Sequence, residues 1–309
     1  MTPFRILALD GGGIRGVITA AILERLELAQ PGFMKTIDLF AGTSTGGILA
    51  LGLSSGMSPT DARLLYERSG SKIFAFNIID EIRDLGQLIG ADYSNSPLKV
   101  ELVNKFGDMT LGDLPKKVVI SSFELDNKSA DPSKPRNWKP KFFHNFPGPD
   151  SDADQKVIDV ALRTSAAPTY FPIYQGYVDG GVVANNPSLC ALAQAMHPDT
   201  GKQKLRNIRL LSIGTGLNPK YIPEIDANWG LVQWAPHLIS LILEGSVGLA
   251  DYQCKQLLSK YYYRVNPILP VPIGLDKVNQ IPLMKDIAAK EDLSAAIKWS
   301  RRNFQTPRS

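Results

Sequence analysis

A chain of 309 residues, 44% hydrophobic, can bury a large core, and its length suits one large α/β domain or two smaller ones. The formal net charge of +4 is mild and its Lys and Arg are scattered, which argues against a nucleic-acid binder while permitting weak attraction to an anionic surface. Two distant cysteines, Cys190 and Cys254, make no metal-ligand spacing and read as buried thiols in a reducing compartment.

The start, Met1 to Arg5, runs straight into a strand over Phe4 to Leu9 and lacks the layout of a secretory leader. That strand ends in Asp10-Gly11-Gly12-Gly13-Ile14-Arg15-Gly16, and a helix with apolar residues at Val17, Ile18, Ala21, Ile22 and Leu26 follows. Pro31-Gly32 stops it. Ile37 to Ala41 is a second buried strand, leading through Gly42-Thr43-Ser44-Thr45-Gly46 into a small-residue helix, Gly47 to Leu53. Ser58-Pro59 opens a helix through Tyr66, and Ser96-Pro97 opens another through Phe106. Between them, Ile73 to Ser94 has poor periodicity and many aromatics and reads as a long loop or lid. Val118 to Phe123 and Phe142 to Phe146 are strands flanking a polar excursion, Asp126 to Pro140. A helix over Val157 to Thr164 runs into Ser165-Ala166-Ala167-Pro168; Tyr174 to Val178 is a strand closing on Asp179-Gly180-Gly181. Asn186-Pro187 starts a helix through Met196, and Ile208 to Ile213 is a strand ending at Gly214-Thr215-Gly216. The apolar stretch Trp234 to Ala250 contains His237 and Glu244 and is too short and polar to span a bilayer. Strands alternating with helices predict a mostly parallel, doubly wound sheet with its sites at the strands' carboxyl ends. Without linker, repeat or low-complexity tract, the whole of 1–309 reads as a single domain.

Strand, G-x-S-x-G, helix is the context of a nucleophile elbow, which exposes the Ser44 hydroxyl at a helix N-terminus where backbone amides favour negative charge. The first glycine cluster also matches G-x-G-x-x-G, so a dinucleotide-binding turn at Gly11 to Gly16 is the competing reading. Against it, Asp10 would sit close to the pyrophosphate, Asp38 begins the second strand instead of ending it, and that strand leads to the serine. Three successive glycines at a helix start otherwise offer several unobstructed N–H groups, as an oxyanion hole needs. Asp179 is either a turn residue or an acid freed by Gly180 and Gly181 at a strand end. The histidines are His144 in a strand, His197 at a helix end and His237 in a helix; a hydrolase triad needs a later histidine after Asp179, and neither His197 nor His237 is well placed for one.

Together, in this order and spacing, Asp10-Gly11-Gly12-Gly13-Ile14-Arg15-Gly16, Gly42-Thr43-Ser44-Thr45-Gly46 and Asp179-Gly180-Gly181 resemble the patatin-like phospholipase family, as do Ser165 to Pro168 and Asn185-Asn186-Pro187. The resemblance covers about residues 4–216; the C-terminal part carries no matching motif and is expected to complete the domain. It implies a three-layer α/β/α fold with a mostly parallel central sheet. It further implies a Ser44 nucleophile with Asp179 as its only partner, and an oxyanion hole at Gly11, Gly12 and Gly13 with Arg15 nearby. Arg15 would fix that loop or hold a phosphate. The implied activity is hydrolysis of fatty-acyl esters of phospholipids through an acyl-serine, with no metal or cofactor. The implied partner is a phospholipid membrane surface met from the cytoplasm by peripheral contact, with Phe74 to Ile79 and Trp229 to Leu243 as candidate interfacial segments. An activating partner and a homo-oligomer stay open. The competing functions are a non-enzymatic storage relative and a dinucleotide binder.

Overall fold

Phe4–Leu9 (β1) is apolar except for Arg5, its side chains alternate between two faces, and both faces are buried from Arg5 onward. Ile6 and Ala8 join one hydrophobic cluster, Leu7 and Leu9 another, so the strand lies in the middle of a layered core. The computed structural model describes residues 3–73, 94–129, 131, 133–222 and 228–304. Parallel neighbours flank β1: Leu39–Thr43 (β2) on one side and Ile208–Ile213 (β6) on the other. The sheet extends through Lys117–Glu124 (β3) to Lys139–His144 (β4) at one edge and through β6 to Tyr262–Val265 (β7) at the other. Tyr177–Asp179 (β5) pairs with β3. Five strands run parallel; β4 and β5 are antiparallel to β3.

Gly16–Ala29 (α1), Thr45–Ser54 (α2), Ser96–Phe106 (α4) and Val157–Thr164 (α5) contribute to the Leu7/Leu9 cluster, as do Ile281–Lys290 (α9) and Ser294–Asn303 (α10). Pro59–Ile73 (α3) adds Ala62 and Tyr66 to the same layer. The opposite layer holds Ser188–Met196 (α7) and the end of Leu231–Leu258 (α8), through Ala191, Leu192, Cys254 and Leu258. The three-layer α/β/α arrangement with a mostly parallel sheet is therefore what the chain builds.

Several expectations shift in detail. The strand expected over Tyr174 to Val178 is Tyr177–Asp179, because Tyr174 and Tyr177 exchange backbone bonds across a tight turn at Gln175-Gly176. The strand expected over Phe142 to Phe146 begins at Lys139, inside the polar excursion. Cys254 is buried and free, whereas Cys190 is also free but only half-buried. The loop or lid reading of Ile73 to Ser94, including Phe74 to Ile79, falls from residue 74 to residue 93 outside the described residues. The unmatched C-terminal part supplies β7, α8, α9 and α10, and α8 runs unbroken for 28 residues.

Candidate active site

Ser44 sits between β2 and α2 with φ +55°, a conformation uncommon for a residue with a side chain. The turn is possible because Gly42 and Gly46 lack side chains. A Cβ on Gly42 would lie 2.1 Å from the Gly46 carbonyl oxygen, and one on Gly46 would lie 2.2 Å from that of Leu9. The Ser44 N–H donates to Thr164 Oγ1 at 2.9 Å, and that hydroxyl donates to the Ser121 carbonyl at 2.6 Å, so the elbow is pinned to β3.

Sheet register explains how Asp179 reaches it. Thr43 pairs with Ser121 of β3 and Asp179 with Ser122, and β5 runs toward β2 along the same edge of β3. The carboxyl ends of β2 and β5 therefore meet, and Ser44 and Asp179 face the same pocket, with the Ser44 hydroxyl close enough to favour the charged form of the Asp179 carboxyl. The Gly181 N–H donates to Asp179 Oδ1 at 2.7 Å. Burial nevertheless dominates and pushes the Asp179 carboxyl up to about 7. Gly180 is required by proximity, since a Cβ there would lie 2.3 Å from the Ser121 carbonyl.

The segment after Asp179 sews the site together. Gly181–Ala184 (α6) ends where Ala184 accepts the Thr43 hydroxyl, 2.6 Å away. Asn185 then accepts the Gly11 N–H through its backbone carbonyl at 3.0 Å. Gly11 is thus committed to the frame, and among the described residues the Gly12 and Gly13 amides have no acceptor. Both line the pocket that contains Ser44 and Asp179. Gly13 has φ +57°, and a Cβ on Gly12 would lie 2.2 Å from Thr215 Oγ1. Arg15 is buried, faces the same pocket, and reaches the carbonyls of Gly12 at 3.5 Å and Gly216 at 3.4 Å. Gly16 packs against Thr45 and Tyr66, where a Cβ would lie 2.3 Å from Thr45 Oγ1.

The pocket encloses about 1130 Å³ of atom-free space, part of it open to solvent. Apart from the groups at its base, it is lined by aliphatic and aromatic side chains such as Ile48, Leu65, Phe171, Ile239 and Leu243. None of the three histidines lines it. His144 is buried in β4 and faces Asp150, His197 is exposed, and the His237 ring stacks on Trp229. No group of three His, Cys, Asp or Glu side chains that could hold a metal occurs among the described residues.

Four contributors escaped the sequence reading. Arg264 of β7 makes a buried two-bond ion pair with Asp10, at 3.2 and 2.5 Å, directly before the glycine cluster. The Leu275 carbonyl accepts the Ile14 N–H at 2.7 Å, occupying part of the helix start that a pyrophosphate would need. Tyr66 hydrogen-bonds Thr45 Oγ1, and Thr164 pins the elbow. Asp10 and Arg264 are 254 positions apart, so no local pattern could pair them.

Residues 7–192 match the family model described as patatin-like phospholipase. The CotR protein of Bacillus subtilis is 31% identical, with 98% of this chain and 99% of that one covered. A cGAMP-activated phospholipase of Pseudomonas aeruginosa is 32% identical, over 85% of this chain and 78% of its own. Among solved structures, the ExoU–SpcU heterodimer of the type III secretion system of Pseudomonas aeruginosa matches with a TM-score of 0.49 and 16% identity, over 99% of this chain and 52% of that one.

Proposed function

The chain belongs to the patatin-like phospholipase family, and from that premise we propose that it is a lipid acyl hydrolase using Ser44 as nucleophile and Asp179 as general base. The observation that carries this is an elbow serine beside a buried carboxylate at the base of an apolar pocket. Asp179 at its ordinary value of 3.8 would be a poor base; raised to about 7 it can take a proton at neutral pH. Ser44 Oγ attacks the ester carbonyl carbon while its proton passes to Asp179. The carbonyl oxygen, now an oxyanion, takes hydrogen bonds from the free Gly12 and Gly13 amides, each such donor being worth about 3–4 kcal/mol. Collapse of the tetrahedral adduct expels the alcohol, which receives the proton from Asp179 and leaves Ser44 acylated. Water then attacks the acyl-serine, giving its proton to Asp179, and the fatty acid departs as Ser44 recovers its proton.

The apolar walls suit a fatty-acyl chain, and the buried Arg15 guanidinium suits a phosphate group at the polar end. A phospholipid in a membrane surface is the substrate this combination fits, reached by peripheral contact. No helix among the described residues is long and apolar enough to cross a membrane. The pairing of β7 with β6 supports reading the whole chain as one domain.

The test is release of free fatty acid from phosphatidylcholine–phosphatidylglycerol vesicles. Ser44→Ala and Asp179→Asn should each lower turnover by about a thousandfold or more, with thermal unfolding close to the parent's. A combined His144→Gln, His197→Gln and His237→Gln protein should keep most of its activity. Loss of turnover in that triple variant while folded would replace the dyad with a triad. A fluorophosphonate should label Ser44, and labelling that persisted in Ser44→Ala would move the nucleophile elsewhere.

A further inference from the structure

The exposed apolar side chains are not spread evenly over the molecule. The loop after β6 exposes Leu217 and Tyr221, the loop after β7 exposes Ile268, and α8 follows with Trp234, Leu241 and Leu249. These loops leave parallel strands at their carboxyl ends, the same end at which Ser44 and Asp179 lie. Leu217 and Ile268 pair in an isolated parallel bridge, so the two loops form one surface. Lys220 reaches Ser240 at 3.4 Å, which joins that surface to the middle of α8.

At about 100° per residue, positions 234, 238, 241, 242, 245, 249 and 252 fall on one side of a helix. On α8 that side is exposed and carries no charge. Gly245 and Gly248 face open space, where an added Cβ would meet nothing within 4 Å. Turning α8 by roughly a third of a circle brings Ile239 and Leu243 into the acyl pocket. Ile242 belongs to both sides: it lines the pocket and is 48% exposed, so it forms the rim.

We propose that the outward stripe of α8, with the β6 and β7 loops, is the surface by which the protein lies on a phospholipid bilayer, its pocket rim turned toward the lipid. The continuity at Ile242 selects this occupant. Anything that covers the stripe also covers the pocket mouth; a second protein copy there would stand in the substrate's path. A bilayer covers the same surface and delivers the substrate through it. The stripe has the character of an interfacial helix, with Trp234 and Tyr252 18 positions apart at its ends and aliphatic residues between. The proposal rests on the hydrolase reading for its choice of occupant, and its test is read separately.

Leu241→Glu and Ile268→Glu place charges on exposed positions outside the pocket, so both variants should fold with unchanged thermal unfolding. Each would be compared with the parent in three measurements: sedimentation with vesicles of equal phosphatidylcholine and phosphatidylglycerol, fatty-acid release from those vesicles, and hydrolysis of a soluble short-chain ester. Binding and vesicle hydrolysis should fall by about tenfold or more, since one lost aliphatic anchor accounts for that much. Soluble-ester turnover should not change. Parent-like vesicle binding by both variants would overturn the proposal. So would a parent that forms dimers, ignores vesicles and becomes monomeric on Leu241→Glu. If the parent bound vesicles through this face but cleaved no ester, the hydrolase reading would fall and the docking surface would stand.

Discussion

Asp179 is a carboxylate made basic by its surroundings, and its titration should be visible in both rate and stability. Its value in the fold, about 7, lies above the ordinary 3.8, so the folded protein holds this proton more tightly than the unfolded chain. The stabilisation is complete at pH below the ordinary value, shrinks as pH rises, and is lost once pH passes about 7. Activity should move the other way. With a soluble ester, kcat/KM should rise with pH and reach half its plateau near 7, where Asp179 becomes the free base. Asp179→Asn keeps an acceptor for the Gly181 N–H but cannot ionise. Thermal unfolding from pH 5 to pH 8 should show the parent losing stability relative to this variant as pH rises. A difference between parent and variant that stays constant over that range would mean Asp179 titrates at an ordinary value.

The glycine cluster and β7 act as one unit through Asp10 and Arg264. Both side chains are buried, and Arg264 also donates to Ser212 Oγ at 2.6 Å, so the ion pair ties β7 across β6 to the end of β1. Removing one partner strands a buried charge, which typically costs about 3–5 kcal/mol. Arg264→Met should therefore destabilise the fold by that order, and the Asp10→Asn, Arg264→Met pair should recover much of the loss, as urea unfolding of all four proteins would show. The double variant is the more informative one for function. If the pair orients the Gly12 and Gly13 amides, kcat should stay depressed after stability returns, with KM little changed. Full recovery of kcat would reduce the pair to a structural tie.

This same pair marks where sequence legibility ended. The elbow, the glycine-rich loop and the Asp-Gly-Gly turn could be read because each is a local pattern whose residues serve a single turn. The parallel core could be read from β1 and β2, buried on both faces and apolar but for Arg5 and Thr43. Arg264, Leu275 and Thr164 act through the tertiary fold on atoms far away in sequence, and nothing in their own neighbourhoods marks them. The antiparallel course of β5 was hidden for a related reason. Its three residues owe their place to the vacant edge of β3 beyond β2, which only the assembled sheet reveals.

At the scale of the molecule, an apolar docking face and a small net charge should divide the work of meeting a membrane unequally. The charge of +4 is spread over the chain, and many basic groups already have carboxylate partners, such as Arg136 with Asp126 and Lys139 with Glu124. Lys220, beside the apolar face, has no carboxylate at ion-pair distance among the described residues. A basic group near an anionic surface contributes about 1 kcal/mol, and salt screens it over about 10 Å at 0.1 M. One such group gives roughly a fivefold preference, whereas burial of the α8 stripe does not depend on charge. Vesicle hydrolysis should therefore be a few-fold faster on phosphatidylglycerol-containing vesicles than on pure phosphatidylcholine, and high salt should erase that margin while leaving the phosphatidylcholine rate intact. Lys220→Gln should shrink the margin without changing soluble-ester turnover. Complete loss of vesicle hydrolysis in salt would show instead that charge, and not the apolar face, holds the protein to the bilayer.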